Sequence, residues 1–390
     1  MNYTLNTVTE SKSTKYLLCT DGKYFSINQL LFDILEEYKY TKDCHKICDN
    51  LNKKRTDNFL TIGFIEDSLE KTKEIIFRNN ERKKENKKYI THSLTIIPQG
   101  KLQKPYQLLA LLFNKYLAIA LSLFSIVFSS YFIYAKGYNN LTLFYNNLIA
   151  SSSVLHLTVV FVLSLFIVLI HEMGHAAAAF KYNIQPKEIG IGIYFIIPVL
   201  YTNVTDVWKL SANKRIVVNL GGIYFQLIIN IFLLCLYFFS PIKEICLLLF
   251  AFNTISILIS FNPFFRYDGY WLFSDFFRVS NLREKSTQLV KNFFCSPNQI
   301  KKVIINNNIK TPTIVYSIFN VLFWGWVYFS IVKYFVKNIP TIIGLIFEND
   351  RITVFSVGIF VNCLFISFWV LTTLKNIYST FLKNYSHAKQ

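Results

Sequence analysis

Acidic side chains are scarce in this chain. Against 41 Lys and Arg it carries 23 Asp and Glu, a formal charge of +18 over 390 residues. Charge of either sign is missing altogether from Val154 to Ile170, and other uncharged runs of about twenty residues occur elsewhere. Soluble globular chains are roughly 45–50% apolar, whereas this one is 53% hydrophobic and 17% aromatic. Those runs exclude a wholly soluble protein and imply a polytopic membrane protein. The excess cations sit mostly in the N-terminal region and in loops beside apolar runs. That placement fits positive-inside topology and anionic lipid head groups as the partner, not nucleic acid.

Other absences narrow the class further. Seven cysteines, an odd number, are scattered through the chain, so no disulfide framework is expected. Cys44, His45 and Cys48 form a C-H-x-x-C cluster, read as helix surface and packing because no second cluster lies near it. The first twenty residues hold no continuous apolar core, so no cleavable signal peptide is expected. Internal repeats and low-complexity linkers are lacking as well.

What is present divides at about residue 105. Residues 1–105 read as a small α+β, winged-helix-like cytosolic domain. TKYLLCT, the pair Asp21-Gly22 and KYFSIN predict a β-hairpin with a D-G turn. Leu30, Leu31, Ile34 and Leu35 share one face of a helix. A second helix starts at Thr41-Lys42-Asp43, and residues 58–90 give a third, ending in the charged run NNERKKENKK, a solvated or lipid-facing surface. Residues 106–390 read as a mostly α membrane domain with about six transmembrane helices. The spans are Tyr116–Ala135, Val154–Lys181, Ile216–Phe239, Ile245–Phe265, Ile314–Val332 and Ile352–Leu374, which puts both termini in the cytoplasm of a cell-membrane protein. The link to Ser153 is poor in charge and suits the outer side, and Ile339–Phe347 is too short to cross and is placed on the outer surface. Within residues 182–215, IGIGIYFIIPVL is apolar, short and broken by Gly190, Gly192 and Pro198. It reads as a re-entrant loop, an interfacial loop or a β-ribbon; a ribbon there could hold a substrate in extended form.

The second span carries the chemistry. It ends in His171-Glu172-Met173-Gly174-His175 and four alanines. Ionisable residues inside a membrane-grade helix are costly and mark function by default. Positions i and i+4 share a helix face, so two imidazoles can meet one ion with Glu172 beside it. That is H-E-x-x-H, in which two His bind zinc and the Glu is the general base. A catalytic zinc takes three protein ligands. Asp268 is the only carboxylate between Glu244 and Asp275, and topology places it at the same membrane depth, so it is the expected third ligand; the other reading is a turn in which Asp268 caps. Asn262 and Pro263 break the helix near the metal. Asn262 is expected either to donate to substrate or to close the helix end.

These residues resemble the site-2 protease family of intramembrane zinc metalloproteases. His171-Glu172-Met173-Gly174-His175 is similar to its H-E-x-G-H, and Asn262-Pro263 with Asp268-Gly269 to its N-P-x(n)-D-G. The resemblance covers about Val154 to Ser274, a core of roughly 154–275, and implies zinc on both histidines and Asp268, with Glu172 catalytic. Tyr201 to Trp208, Lys214-Arg215 with Gly221-Gly222, and Asn262 to Asp275 look like the putative peptide zinc metalloprotease subgroup, found near genes for modified peptides. Tyr16 to Leu51 resembles PqqD-like peptide-recognition domains, which implies a leader peptide bound as an added strand. One departure stands out: the family's A-G-P-x-x-N run, whose Asn touches substrate, reads here Gly221-Gly222-Ile223-Tyr224-Phe225, with no Asn. The function so implied is leader removal from a ribosomally synthesised peptide, with an exporter or peptide-modifying enzyme as further partner. Two rivals remain: a regulatory protease acting on an anti-sigma factor or signal-peptide remnant, and a non-hydrolytic export or immunity subunit.

Overall fold

The structure is a computed structural model. It describes residues 3–347 apart from 11–12, 21, 55–58, 86–89, 137–153, 195–196, 296–303 and 306–308. Three antiparallel strands open the chain: β1 (Thr4–Glu10), β2 (Ser13–Thr20) and β3 (Lys23–Ile27), in the order β1-β2-β3. The expected hairpin is β2–β3, turning at Gly22 with φ +74°, a conformation glycine adopts without strain. Strand β1 was not foreseen. Helices α1 (Gln29–Tyr40), α2 (Cys44–Lys53) and α3 (Ile62–Glu85) follow. Asn28 caps α1 by accepting from Leu31 N at 2.8 Å, and Asp43 caps α2 through His45 N at 3.0 Å. Leu18, Ile34, Leu35, Ile47, Leu51, Ile65 and Leu69 form the core between sheet and helices. Cys48 belongs to that core and donates from Sγ to the Leu60 carbonyl, which accounts for it as packing.

Alternation along the strands leaves a second sheet face, away from the three helices. Leu5, Leu18 and Phe25 lie opposite one another on the helix side. Asn6 and Val8, Lys15 and Leu17, and Tyr24 therefore point the other way. Val8, Glu10 and Leu17 are nevertheless buried, because β1 packs on a 3₁₀ turn at Thr205–Lys209. The Tyr24 hydroxyl donates to Asp206 Oδ1 at 2.7 Å, and Glu10 pairs with Lys15 at 2.8 Å and Arg278 at 3.7 Å. Burial works against the charged form of both carboxylates, but their partners win: Lys15, Arg278 and Arg215 hold Glu10, and Tyr24 and Lys187 hold Asp206, below their ordinary pKa values. A carboxylate with a lowered folded pKa stabilises above its ordinary value and loses that contribution as the pH falls through the folded one. The contact is thus expected to be intact at neutral pH and to weaken below about pH 4, read as a falling unfolding temperature.

Strand β4 (Ile90–Pro98) lies in the expected N-terminal region but joins a different sheet. It pairs antiparallel with β5 (Glu188–Tyr194), and β5 with β6 (Ile197–Thr202), in the order β4-β5-β6. Of the readings open for residues 182–215, this is the β-ribbon, completed by a strand about a hundred residues upstream that local patterning does not connect to it. A short helix α4 (Gln103–Ala110) leads to the spans.

Among the described residues, five helices are long and apolar enough to cross a membrane: α5 (Lys115–Ala135), α6 (Val154–Lys181), α7 (Ala212–Phe239), α8 (Lys243–Ser260) and α11 (Thr311–Phe347). Helix α7 packs on α5, α6 and α8 and is the central one. Helix α8 stops at Ser260 rather than Phe265, since Asn262 Oδ1 takes the Phe264 N–H and Pro263 has none to offer. After the turn comes α9 (Asp268–Phe276). The chain divides into two compact units between Ser280 and Asn281. In the second, α10 (Leu282–Cys295) packs on α11, which runs unbroken through Pro340. The expected separate surface segment Ile339–Phe347 is corrected: it continues α11, because one proline removes one helical bond without ending an otherwise apolar helix. The expected link to Ser153 and sixth span Ile352–Leu374 lie outside the described residues.

Candidate metal centre

Three close backbone approaches bring the site together. Helices α6 and α7 cross at Gly174 and Gly221: a Cβ on Gly174 would meet the Gly221 carbonyl oxygen at 2.3 Å. The four alanines after His175 are fully buried and keep the crossing tight. One residue along α7, Gly222 leaves the space the His171 ring fills, and a Cβ there would stand 2.5 Å from Nε2. The third approach is Gly269, whose added Cβ would lie 2.1 Å from the Phe261 carbonyl oxygen. Only glycine lets the start of α9 lie against the end of α8, and that contact carries Asp268 to the histidines.

There, His171 Nε2 and His175 Nε2 are 3.1 Å apart, and the Asp268 oxygens lie 3.1 Å from the first and 3.2 Å from the second. Both histidines are buried. Each ring is held from behind. His175 Nδ1 contacts the Val218 carbonyl at 2.8 Å, which can only accept, so that nitrogen carries the proton. His171 Nδ1 contacts Gln226 Oε1 at 2.9 Å, while the Gln226 amide donates to Ser256 Oγ. With Nδ1 protonated, a neutral ring turns a bare Nε2 lone pair inward. Two such lone pairs then face each other and a carboxylate, whose Oδ2 is buried without a hydrogen bond. That donor set fits a cation. A tetrahedral zinc with bonds of about 2.0 Å separates its ligand atoms by roughly 3.3 Å, close to this triangle. Among the described residues, metal-ligating side chains converge at this one group.

Glu172 is buried beside the triangle, and the Thr202 hydroxyl on β6 donates to its Oε2 at 2.7 Å. A cavity of about 780 Å³ opens here, lined by His171, Glu172, His175, Asp268 and the β6 residues Pro198 to Thr202. Asn262 is not among the lining residues; its side-chain oxygen accepts from Phe264 N at 2.8 Å and shapes the turn before Asp268.

Residues 159–382, more than half of the chain, match the family model of peptidase family M50. The chain belongs to peptidase family M50. This is the site-2 protease family, whose members are intramembrane metalloproteases and typically zinc enzymes. No curated protein and no solved structure matches the chain.

The structure of this M50 peptidase also shows site residues that sequence patterning passed over. Gln226 is the sixth residue of the stretch that begins at Gly221, and it reaches His171 instead of leaving that position without a polar group. Asn253 donates to the Gln226 carbonyl and to Asn230, and Asn230 to Thr254, so a buried polar ladder joins α7 to α8. A polar residue in a membrane-grade helix was the available signal. At the other end of the cavity Arg215 pairs with Asp275 at 2.6 Å, Asn219 donates to Asp275 at 2.9 Å, and the Trp208 ring covers the guanidinium at 4.9 Å. Gln226→Leu is expected to weaken zinc binding about 10- to 100-fold, the usual effect of removing a histidine's outer partner. Gln226→Glu, which keeps an acceptor, is expected to bind nearer to the native protein; competition with a chromophoric chelator measures both.

Proposed function

We propose that this M50 peptidase is a zinc metalloendopeptidase in which His171, His175 and Asp268 hold the ion and Glu172 is the general base. Its reaction would be hydrolysis of a peptide bond at the cytoplasmic membrane, removing the leader of a ribosomally synthesised modified peptide. The observation that carries this is the triangle of ligand atoms with Glu172 beside it, at the wall of a cavity bounded by β6. A zinc ion held by His171, His175 and Asp268 would supply Lewis acidity for a scissile carbonyl and for the attacking water. Glu172 takes the proton and returns it to the leaving amine. Thr202 fixes the carboxylate by donating to Oε2. Strand β6 pairs with β5 on one side, and among the described residues its other edge has no strand beside it. That edge would hold an unwound substrate by backbone hydrogen bonds. Asn262 would reach substrate only through its amide nitrogen, its oxygen being taken by Phe264 N.

The N-terminal sheet followed by three helices supports the PqqD-like reading of residues 1–105. The outer edge of β3 is where a leader would add as a further strand. A modifying enzyme or exporter is the partner expected to hand over or receive the peptide. Cytoplasmic termini, six spans and a winged-helix fold for the N-terminal domain belong to this proposal as well.

Cleavage of a genetically neighbouring leader-bearing peptide by the zinc-loaded protein tests the reading, with products read by mass spectrometry. One defined cut is expected, abolished by a chelator, restored by zinc and slowed when the leader is deleted. Cleavage of a membrane-bound regulator in place of such peptides would sink the maturation role. Retention of zinc and peptide without any cut would support the export or immunity subunit.

A further inference from the structure

We propose that the outer face of the N-terminal sheet braces the cavity wall from behind, and that Glu10 and Tyr24 are positioning residues for Trp208 and for α9, the helix bearing Asp268. This rests on the cavity being the peptide-cleaving site. It departs from the simpler picture of an N-terminal domain that only captures a leader on a tether.

The contacts run continuously from the sheet to the site. Tyr24 grips Asp206, which also pairs with Lys187 at 3.3 Å. Asp206 lies in the 3₁₀ turn whose Thr205, Val207 and Trp208 line the cavity. Trp208 meets Trp271 of α9 edge to face at 6.2 Å and covers Arg215. Arg215 is tied to Asp275 of α9 and donates to the carbonyl of Leu210, whose N–H closes the turn on Val207. From the other strand end, Glu10 reaches Arg278, two residues past α9, where the chain takes a φ of +52°. Glu10 also lies in the field of Arg215. The sheet therefore holds both the turn and the far end of α9, a helix of nine residues that begins at Asp268.

Burial says the same in other terms. Val8 is 5% and Leu17 9% exposed, although both face away from the domain's own helices. A freely tethered domain would leave that face wet. Tyr24–Asp206 is a hydrogen bond to a half-buried carboxylate, and Glu10, itself buried, is an acid whose cations Lys15 and Arg278 lie nearer the surface, so removing the Glu10 charge takes away a buried, paired carboxylate.

Hydrogen exchange on the full chain in nanodiscs provides the test, with Glu10→Gln and Tyr24→Phe against the native protein. Both changes are nearly isosteric, so protection of residues 29–53 is expected to be unchanged. Amides of residues 204–210 and 268–276 are expected to exchange about tenfold faster or more. Unchanged protection in both segments overturns the proposal, whether or not the protein cuts anything. A second readout uses a short peptide spanning only the bond that the native enzyme cleaves. The variants are expected to lose about tenfold in kcat with KM little changed. Full activity on the short peptide, with a loss confined to KM on the leader-bearing one, would establish the tether and overturn the brace. If the native protein cleaves no peptide at all, the protease reading fails while the exchange result still decides this one.

Discussion

Glu172→Gln is expected to keep one zinc ion per chain and to lower turnover by about a hundred- to ten-thousandfold, the range of a general base acting in the transition state. The carboxylate is not part of the ligand triangle, so its loss leaves the ion's three partners in place. Glutamine also preserves an oxygen to accept from the Thr202 hydroxyl, so the local hydrogen bonding survives and the change is confined to basicity. Single-turnover cleavage together with metal analysis separates the outcomes. A drop of less than tenfold at full zinc content would remove Glu172 from the reaction. Equal loss of metal and activity would instead make it a ligand or a prop for one.

Gly222→Ala should weaken metal binding in a protein that still folds. Its new Cβ would stand 2.5 Å from two atoms of the His171 ring and 2.7 Å from a third, so the ring must swing. Gln226 holds that ring by Nδ1, and the displaced atom is Nε2, one corner of the triangle. Overpacking of this kind costs about 1–3 kcal/mol, which corresponds to roughly a fivefold to 150-fold loss in zinc affinity if it falls on the bound state. The gain in helix propensity from glycine to alanine, about 1 kcal/mol, partly offsets the loss in overall stability. Metal affinity, not the unfolding temperature, is therefore the decisive readout. Gly325→Ala on α11 is the control, since nothing lies within 4 Å of its added Cβ. Native-like affinity in Gly222→Ala would show that His171 does not need the space that Gly222 leaves.

How far the site was legible follows from the range over which each feature is encoded. The pairing of His171 with His175 is a matter of helical spacing, four residues apart, and local sequence states it in full. Asp268 could be placed by elimination because charge is so rare in this part of the chain. Gly221 and Gly222, small residues near the start of a span, mark one side of the Gly174–Gly221 crossing, and nothing local marks which helix meets it. By contrast, the Thr202–Glu172 and Gln226–His171 contacts join positions 30 and 55 residues apart, and no local period carries them. The same holds for β4, whose partner strand is formed by residues 188–194. Its register is decided by the sheet it joins, not by the pattern of its own side chains. Asn262 was legible as a helix breaker, and its oxygen is spent on the break itself.

The burial of Val8, Glu10 and Leu17 also bears on how portable the two halves are. A domain that recognises a peptide on a flexible tether can be exchanged for another with a different specificity, like a removable head. Here the exchanged piece would have to bring a matching outer face, including an acid for Arg278 and a hydroxyl for Asp206. Grafts that carry over only the edge of β3, where a leader is proposed to add, would leave apolar turn residues and two charges exposed. Retargeting this peptidase is thus a problem of redesigning an interior, and lineages that changed substrate would be expected to have altered the strand edge while keeping the face behind it.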